Sequence, residues 1–177
     1  MSQHTNNSAN KHIKPLLQLG GSASAEQIAD FFCANAQADY ISHAELQGGR
    51  ALAPGVWQPN LRALLIEEVR QIAAQRQQQD FSAEVVCAHC GTELAGIAFL
   101  SYGGSTRAYA VLDDFLIAPQ WRGLGVAQQF LEALAARLAA EGRTRVFLES
   151  GIGNHQAHRF FERQGFHVTS QVMMREL

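Results

Sequence analysis

The chain has 177 residues, of which 47% are hydrophobic and 17% charged, and its formal net charge is −2. This balance is typical of a globular protein, and the weak negative charge gives no basic surface for nucleic acid. No apolar run approaches the ~20 residues of a membrane helix, so we expect no membrane partner. The length predicts a single domain over residues 12–177, preceded by a flexible polar tail at residues 1–11 that lacks the apolar centre of a signal peptide. Three cysteines are too few for a disulfide framework, which indicates a reducing, cytoplasmic setting.

The first half of the chain predicts a strand at residues 13–19 and a helix at residues 24–36, capped by Ser22 or Ser24. Between residues 37 and 60 the pattern is broken by glycines and prolines, in a connection longer than most compact domains use. Such long ordered connections are usually functional. Helical spacing of apolar residues then predicts a strong helix at residues 61–76.

The second half alternates between strands and helices. It predicts strands at residues 81–88, 94–102, 107–118 and 145–148, and helices that run from Val126 to near Gly142 and over 154–163. Residues 166–174 are predicted to end the chain as one kinked strand or two short ones. Antiparallel strands followed by strand–helix–strand units indicate an α/β fold, with a mixed central sheet flanked by helices.

The most informative segment runs from Leu112 to Ala127, where a strand meets a proline and then an Arg-Gly-Leu-Gly turn that opens a helix. A helix start leaves backbone N–H groups without partners and carries positive partial charge, so it is suited to an anion. Glycines allow the anion to approach closely. A dinucleotide-binding interpretation fits less well, because the third glycine of that fingerprint is missing.

A second segment, taken together with this turn, indicates the family to which the turn belongs. It reads Asn154-x-x-Ala157-x-x-Phe160-Phe161-x-x-x-Gly165-Phe166, about one strand–helix unit after Arg122-x-x-Gly125-x-Ala127. Together, in this order and spacing, the two segments resemble the GNAT superfamily of acetyl-CoA-dependent N-acetyltransferases. The resemblance covers the chain from about residue 13 to its end.

The resemblance implies a mixed sheet whose strands 4 and 5 splay apart to hold the coenzyme, with acetyl-CoA as co-substrate and no metal. The turn would hold the pyrophosphate, the pantetheine arm would pair with backbone beside Phe115 and Ile117, and Asn154 would hydrogen-bond that arm. The amide of Phe115 would face the thioester oxygen and stabilise the oxyanion. The implied coenzyme-binding residues are Phe115, Leu116, Ile117, Arg122, Gly123, Leu124, Gly125, Val126, Ala127, Asn154, Phe160 and Phe161.

Two adjacent carboxylates are candidates for the base that deprotonates the acceptor amine. Strand alternation predicts that Asp113 and Asp114 face opposite sides of the sheet. Asp113 matches the position at which polyamine-acetylating members carry a carboxylate, so we favour it, with Asp114 as the second choice. Capping or salt bridging at the sheet edge is the alternative for either residue.

The chain departs from the family pattern at Phe161, where many members have a tyrosine that protonates the leaving thiolate. Phenylalanine has no proton to donate, so another donor would be needed, or the chain would bind acyl-CoA as a silent sensor. The substitute donors we consider are water, Tyr102, Tyr109, Ser150 and His158.

Acceptor binding is predicted for the loop residues Asp39, Tyr40, His43 and Glu45, which with the two aspartates favour a cationic amine. We therefore expect a primary amine of a small molecule, such as a polyamine, an amino acid or an aminoglycoside-like compound, with a protein acceptor as the alternative. We also consider a homodimer. The group Cys87, His89 and Cys90 suggests zinc or redox chemistry, but no second cluster completes a ligand set, and a hairpin end explains it more simply.

Overall fold

The computed structural model describes residues 15–105, 107–175 and 177. The predicted tail at residues 1–11 and the start of the predicted first strand lie outside these residues. The centre is a five-stranded sheet of order β1-β4-β5-β6-β7. Its strands are β1 (Leu17–Leu19), β4 (Ala83–Cys90), β5 (Glu93–Gly103), β6 (Tyr109–Ile117) and β7 (Arg145–Leu148). A separate hairpin is formed by β2 (Ala51–Ala53) and β3 (Val56–Trp57).

Five α-helices accompany the sheet: α1 (Ala25–Asn35), α2 (His43–Gln47), α3 (Leu61–Gln77), α4 (Val126–Ala140) and α5 (His155–Arg163). Two capping boxes fix the starts of the first two helices. Ser24 and Gln27 cap α1 reciprocally, and Ser42 and Glu45 do the same for α2. The predicted cap at Ser24 is therefore confirmed.

The two faces of the sheet carry separate hydrophobic cores. On one face α4 supplies Val126, Phe130 and Leu134 against side chains of β4, β5 and β6. On the other face α1 and α3 pack Phe32 and Leu65 against the alternate residues of the same strands. Because both faces of the central strands are covered, these strands read as nearly continuous apolar runs.

The sheet has one irregularity that matters for the site. β5 and β6 are antiparallel, with Phe99 opposite Asp114 and Leu100 opposite Leu112, so Asp113 is an extra residue that forms a bulge. β7 pairs in parallel with β6 from Tyr109 to Leu112, and β6 then continues to Ile117 past the end of β7. β6 and β7 are the fourth and fifth strands in the order of the sheet, so the predicted splay of strands 4 and 5 lies between them.

Two predictions about local structure were wrong. Residues 166–174, predicted as a final strand, have no regular secondary structure, and the apolar side chains of Val168 and Met173 are exposed. Apolar alternation alone does not make a strand without a partner strand to accept its hydrogen bonds. For residues 37–60 the broken pattern predicted a long connecting loop, yet this segment contains α2, the β2–β3 hairpin and a 3-10 turn at Ala38–Tyr40.

Candidate active site

A cavity of about 480 Å³ opens where β6 and β7 separate. One end is bounded by the turn before α4, and the other by the segment that leads from α1 to α2. Among its lining residues are Phe115, Leu116, Ile117, Arg122, Gly123, Gly125, Ala127, Asn154, Phe160 and Phe161. Ten of the twelve residues predicted to bind the coenzyme therefore line one space.

The remaining two, Leu124 and Val126, do not line the cavity. Val126 is fully buried in the core against the sheet, and the side chain of Leu124 is 41% exposed. The role predicted for both residues is that of their backbone N–H groups in the turn, and it stays a prediction. Their backbone still belongs to the turn.

The turn end of the cavity is shaped for an anion. Gly123 and Gly125 have φ values of +75° and +80°, which glycine adopts at little cost, and Gly125 is the N-cap of α4. No side chain among the described residues caps this helix start, so its first amide groups are free of side-chain partners. Arg122 and Arg163 also line the cavity and add positive charge.

Backbone groups of β6 at the gap are bonded to side chains. The Phe115 amide donates to the Tyr40 hydroxyl at 3.2 Å, and Arg122 Nε donates to the Ile117 carbonyl at 2.9 Å. These are the groups that the family resemblance assigns to the thioester and the pantetheine arm. A ligand using them must therefore share or displace Tyr40 and Arg122.

The two aspartates have different environments, because the bulge separates them. Asp113 is exposed to the cavity, and partial desolvation by its walls raises its pKa to about 6, with the Asp114 charge adding to the effect. Asp114 is 1% exposed and accepts hydrogen bonds from Tyr40 at 2.9 Å and from Arg50 at 2.8 Å. Its role as the second choice of base is not supported, since it is enclosed and already paired.

Arg50 pairs with Asp114 on the face of the sheet that α1 and α3 cover. Its guanidinium bridges Asp114 and Glu68, and it lies over the rings of Phe32 and Phe99 at 5.4 and 5.5 Å. Burial alone would lower the pKa of Arg50, but the two carboxylates raise it above its ordinary value. Sequence reasoning missed Arg50 and Glu68, and no local signal marks them, because the contacts join residues far apart in the chain.

The end of the cavity that lies away from the turn is acidic. Asp39 and Glu149 line it beside Asp113, together with Tyr40. Glu45 also lines it, but its carboxylate accepts hydrogen bonds from the Ser42 amide and hydroxyl at 2.7 Å and so serves as the cap of α2.

His43, predicted to bind the acceptor, is not among the lining residues. Its Nδ1 atom contacts the carboxylate of Glu149, a residue that sequence reasoning did not select. Glu149 follows β7 directly, which is the position that would have indicated it.

Helix α5 forms a further wall of the cavity. The Asn154 side chain accepts a hydrogen bond from the Ala157 amide at 3.1 Å, which caps α5 and leaves its amide NH₂ group for a ligand. Phe161 packs among Phe115, Phe160 and Phe166, with ring centroids 5.2 to 6.0 Å away. Of the substitute donors considered above, Ser150 lines the cavity, whereas Tyr102, Tyr109 and His158 do not.

Thiol and metal chemistry find no support at this site. Cys33, Cys87 and Cys90 are free thiols, and none lines the cavity. His89 is bonded to the Gly20 carbonyl oxygen at 2.9 Å. In residues 15–105, 107–175 and 177 there is no cluster of three or more His, Cys, Asp or Glu side chains that could hold a metal ion. No helix in the same part of the chain is both long and apolar enough to span a membrane.

Comparison with known proteins agrees with this architecture. Three solved structures share the fold at low sequence identity. A transcriptional regulator from Bacillus halodurans C-125 has 15% identity and a TM-score of 0.64, covering 92% of this chain and 100% of that one. A putative acetyltransferase from Bacillus subtilis has 20% identity and a TM-score of 0.62, covering 92% and 99%. A ribosomal-protein-alanine N-acetyltransferase from Brucella melitensis biovar Abortus 2308 has 14% identity and a TM-score of 0.62, covering 91% and 98%.

The splayed sheet has a glycine turn and a helix start without a side-chain cap at its gap, an arrangement that is suited to an anionic ligand. The sequence profile of the Acetyltransferase (GNAT) family matches residues 54–166, and the chain belongs to this family. It is an acyltransferase of the N-acetyltransferase type, and its family uses acetyl-CoA as co-substrate. Comparison with curated protein sequences finds no match.

Proposed function

We propose that the protein transfers acetyl from acetyl-CoA to a primary amine of a small, cationic molecule, by direct attack in a ternary complex. The observation that carries this proposal is the polarity of the cavity. Asp39, Asp113 and Glu149 line one end, whereas Arg122 and the start of α4 line the other. The basic end suits the coenzyme phosphates, and the acidic end suits an ammonium group.

The attacking amine must lose a proton before it can act. An alkylamine with a pKa near ~10.4 is neutral in only about one molecule in 10³ at pH 7, a cost of roughly 4–5 kcal/mol. Asp113 is the base that we propose, because it lines the cavity and its pKa of about 6 leaves it ionised at neutral pH yet more basic than an ordinary aspartate. Asp39 and Glu149 would attract and orient the remaining positive charge.

Direct attack, rather than an acyl-enzyme, is supported by the positions of the thiols. Cys87 and Cys90 lie in the core, and desolvation raises the pKa of both, so neither is an activated nucleophile. The three free thiols also favour the cytoplasm as the place of reaction, which we include in the proposal.

The test is release of free thiol from acetyl-CoA in the presence of a panel of amines. The panel contains a linear diamine and polyamine, amino acids, an aminoglycoside, and a peptide with a free N-terminal alanine. We expect turnover with a cationic small molecule and a higher KM for it in D39N and E149Q, without the same change for an amine that has no second charge. Turnover of the peptide alone would favour the alternative, a protein acceptor.

The coenzyme end needs its own test. We expect R122A to weaken coenzyme A binding by about 10-fold, since one charge-assisted contact is lost. Calorimetry with coenzyme A measures this without any acceptor. An R122A protein that binds coenzyme A as tightly as the wild type would place the phosphates elsewhere.

For a macromolecular partner we propose a homodimer. Support comes from the terminal segment, where the apolar side chains of Val168, Val172 and Met174 are exposed. Light scattering after gel filtration tests this, and a monomer mass at micromolar concentration would contradict it.

A further inference from the structure

Tyr40 makes contacts that its predicted role in acceptor binding does not explain. The chain has three tyrosines, Tyr40, Tyr102 and Tyr109, and of these Tyr40 lines the cavity. Its ring is fixed edge-on to Phe32, with centroids 5.7 Å apart, and lies 6.3 Å from Trp57. Tyr40 therefore packs with the core formed by α1 and α3, whereas Phe161, at the position where the family pattern would have a tyrosine, packs with the core on the α4 face.

The hydroxyl of Tyr40 has two bonds that matter. It accepts the Phe115 amide hydrogen at 3.2 Å and donates its own hydrogen to Asp114 at 2.9 Å. An oxygen that accepts an N–H becomes a stronger donor, because the two bonds polarise each other. The hydroxyl thus joins Asp114 to the amide that the family resemblance assigns to the thioester, and both Tyr40 and Phe115 line the cavity.

We propose that Tyr40 is a catalytic residue whose hydroxyl donates a hydrogen bond to the acyl oxygen of bound acetyl-CoA. In the free protein its hydrogen points to Asp114, and in the complex it turns to the acyl oxygen while the Phe115 amide stays on the phenol oxygen. The inference rests on the assignment of the cavity as the acetyl-CoA site. It replaces direct donation by the Phe115 amide with donation through Tyr40.

The bond changes balance without net proton loss from Tyr40. The amine nitrogen bonds to the thioester carbon, and the carbonyl π electrons move to oxygen, where the Tyr40 hydrogen bond stabilises the charge. When the C=O bond re-forms, the C–S bond breaks and its electron pair leaves on sulfur. Asp113 takes the first proton from the ammonium group before the attack and releases it to solvent. After the attack the second proton passes from the nitrogen to Asp113, and the thiolate takes a proton from solvent.

Two observations support a donor that keeps its proton. Burial and the neighbouring Asp114 charge raise the pKa of Tyr40 well above its ordinary value, so the phenol is not ionised. When the hydroxyl turns away, Asp114 keeps its ion pair with Arg50 at 2.8 Å, so its charge does not become isolated in the interior.

The test is the infrared carbonyl stretch of acetyl-CoA labelled with ¹³C at the acyl carbon and bound to the protein without acceptor. A hydrogen bond to the acyl oxygen lowers this frequency. We expect a lower frequency in the wild type than in Y40F, with an unchanged Kd for coenzyme A, which has no acyl group. With an amine that turns over, Y40F should lose about 10²-fold in kcat.

Y102F is the matched control, since Tyr102 also donates to a carboxylate that is paired with an arginine, but outside the cavity. It should leave both the frequency and kcat unchanged. Incorporation of fluorotyrosine, which makes the phenol a stronger donor, tests the same bond in a protein that retains every hydroxyl and should lower the frequency further.

An unchanged frequency in Y40F or with fluorotyrosine would overturn the inference, as would a loss of kcat matched by an equal loss of coenzyme A affinity. If the wild type binds acetyl-CoA and only the Y40F result fails, the proposed function stands without Tyr40. If the wild type does not bind acetyl-CoA at all, both proposals fall.

Discussion

The protein contains two clusters of the same chemical make-up in different places. In the cavity cluster, Arg50 and Tyr40 contact Asp114; in the edge cluster, Arg137 and Tyr102 contact Glu84. The cavity cluster is enclosed, with 0% exposure of the Asp114 side chain and 13% of Arg50, whereas Arg137 in the edge cluster is 35% exposed. Only the cavity cluster is joined to a backbone amide at the gap, through Tyr40 and Phe115.

An arginine, a carboxylate and a phenol in contact therefore do not define a functional site by themselves. In the edge cluster the Arg143 guanidinium covers the Tyr102 ring at 3.8 Å, and the hydroxyl serves the fold. In the cavity cluster the same groups hold the Asp113 bulge and the start of the strand gap. The two clusters therefore differ in their position in the fold, since Tyr40 lines the cavity and Tyr102 does not.

The largest expected effect separates the clusters by stability. D114N removes one of the two carboxylates that pair with the buried Arg50, the other being Glu68, and we expect a loss of about 3–5 kcal/mol in the free energy of unfolding. E84Q should cost less, about 1–3 kcal/mol, since water reaches its partners. Urea unfolding of both variants measures this, and equal losses would show that burial does not distinguish the clusters.

The next largest difference that we expect is in catalytic rate, between a variant in the cavity and one at the edge cluster. We expect D113N to lose about 10²-fold in kcat/KM near neutral pH and to lose the rise of activity with pH centred near about 6, because the ionised carboxylate is the base. E141Q is the control, since Glu141 lies at the edge cluster beside Arg137 and outside the cavity. A D113N profile that still rises near pH 6 would assign the base to another group.

A glycine pair tests whether the position of Tyr40 matters. A Cβ at Gly151 would collide with the backbone oxygens of Asp39 and Ile41, the latter at 2.6 Å, whereas at Gly153 the nearest atom, Asp39 Cβ, is 3.8 Å away. We expect G151A to displace the Tyr40 segment, costing about 1–3 kcal/mol of stability and much of the activity. G153A should retain both, and thermal melting with a kinetic assay compares the two variants. Similar behaviour of the two variants would contradict a tight fit at Gly151.

The smallest effect is the pH dependence of stability at Asp113. Its folded-state pKa of about 6 exceeds the ordinary 3.8, so the folded protein binds more protons than the unfolded chain between these values. Stability from this residue is therefore present at low pH and lost as the pH rises through about 6. D113N should raise Tm at pH 8 but not at pH 4; a gain that is equal at both values would contradict the shifted pKa.

The fold was predictable where a pattern is local. The helices at α1, α3, α4 and α5 and the strands β4 to β7 follow apolar periodicity and turn residues, with errors of one or two residues at their ends. The final strand failed because a strand needs a partner, and nothing in residues 166–174 states whether one is present.

The site was predictable in part for the same reason. The turn at Arg122 and the Asn154 segment are contiguous motifs, so the sequence locates them. Glu149 was missed and His43 misjudged, because membership of a cavity depends on where β7 and the α2 segment meet. Asp113 and Asp114 were predicted to differ, but which of them faces the cavity depends on a bulge that a periodic pattern does not reveal.

The family and the position of the glycine turn could be predicted from the sequence, because glycine positions, a proline stop and a helix start are local properties of the chain. The tertiary structure alone decided that Asp114 is paired with Arg50, 64 residues away, and that Tyr40 meets Phe115 across 75 residues. Charges and hydroxyls carry no record of their partners in the sequence. Their pKa values and roles arise only when folding removes water and brings distant segments together.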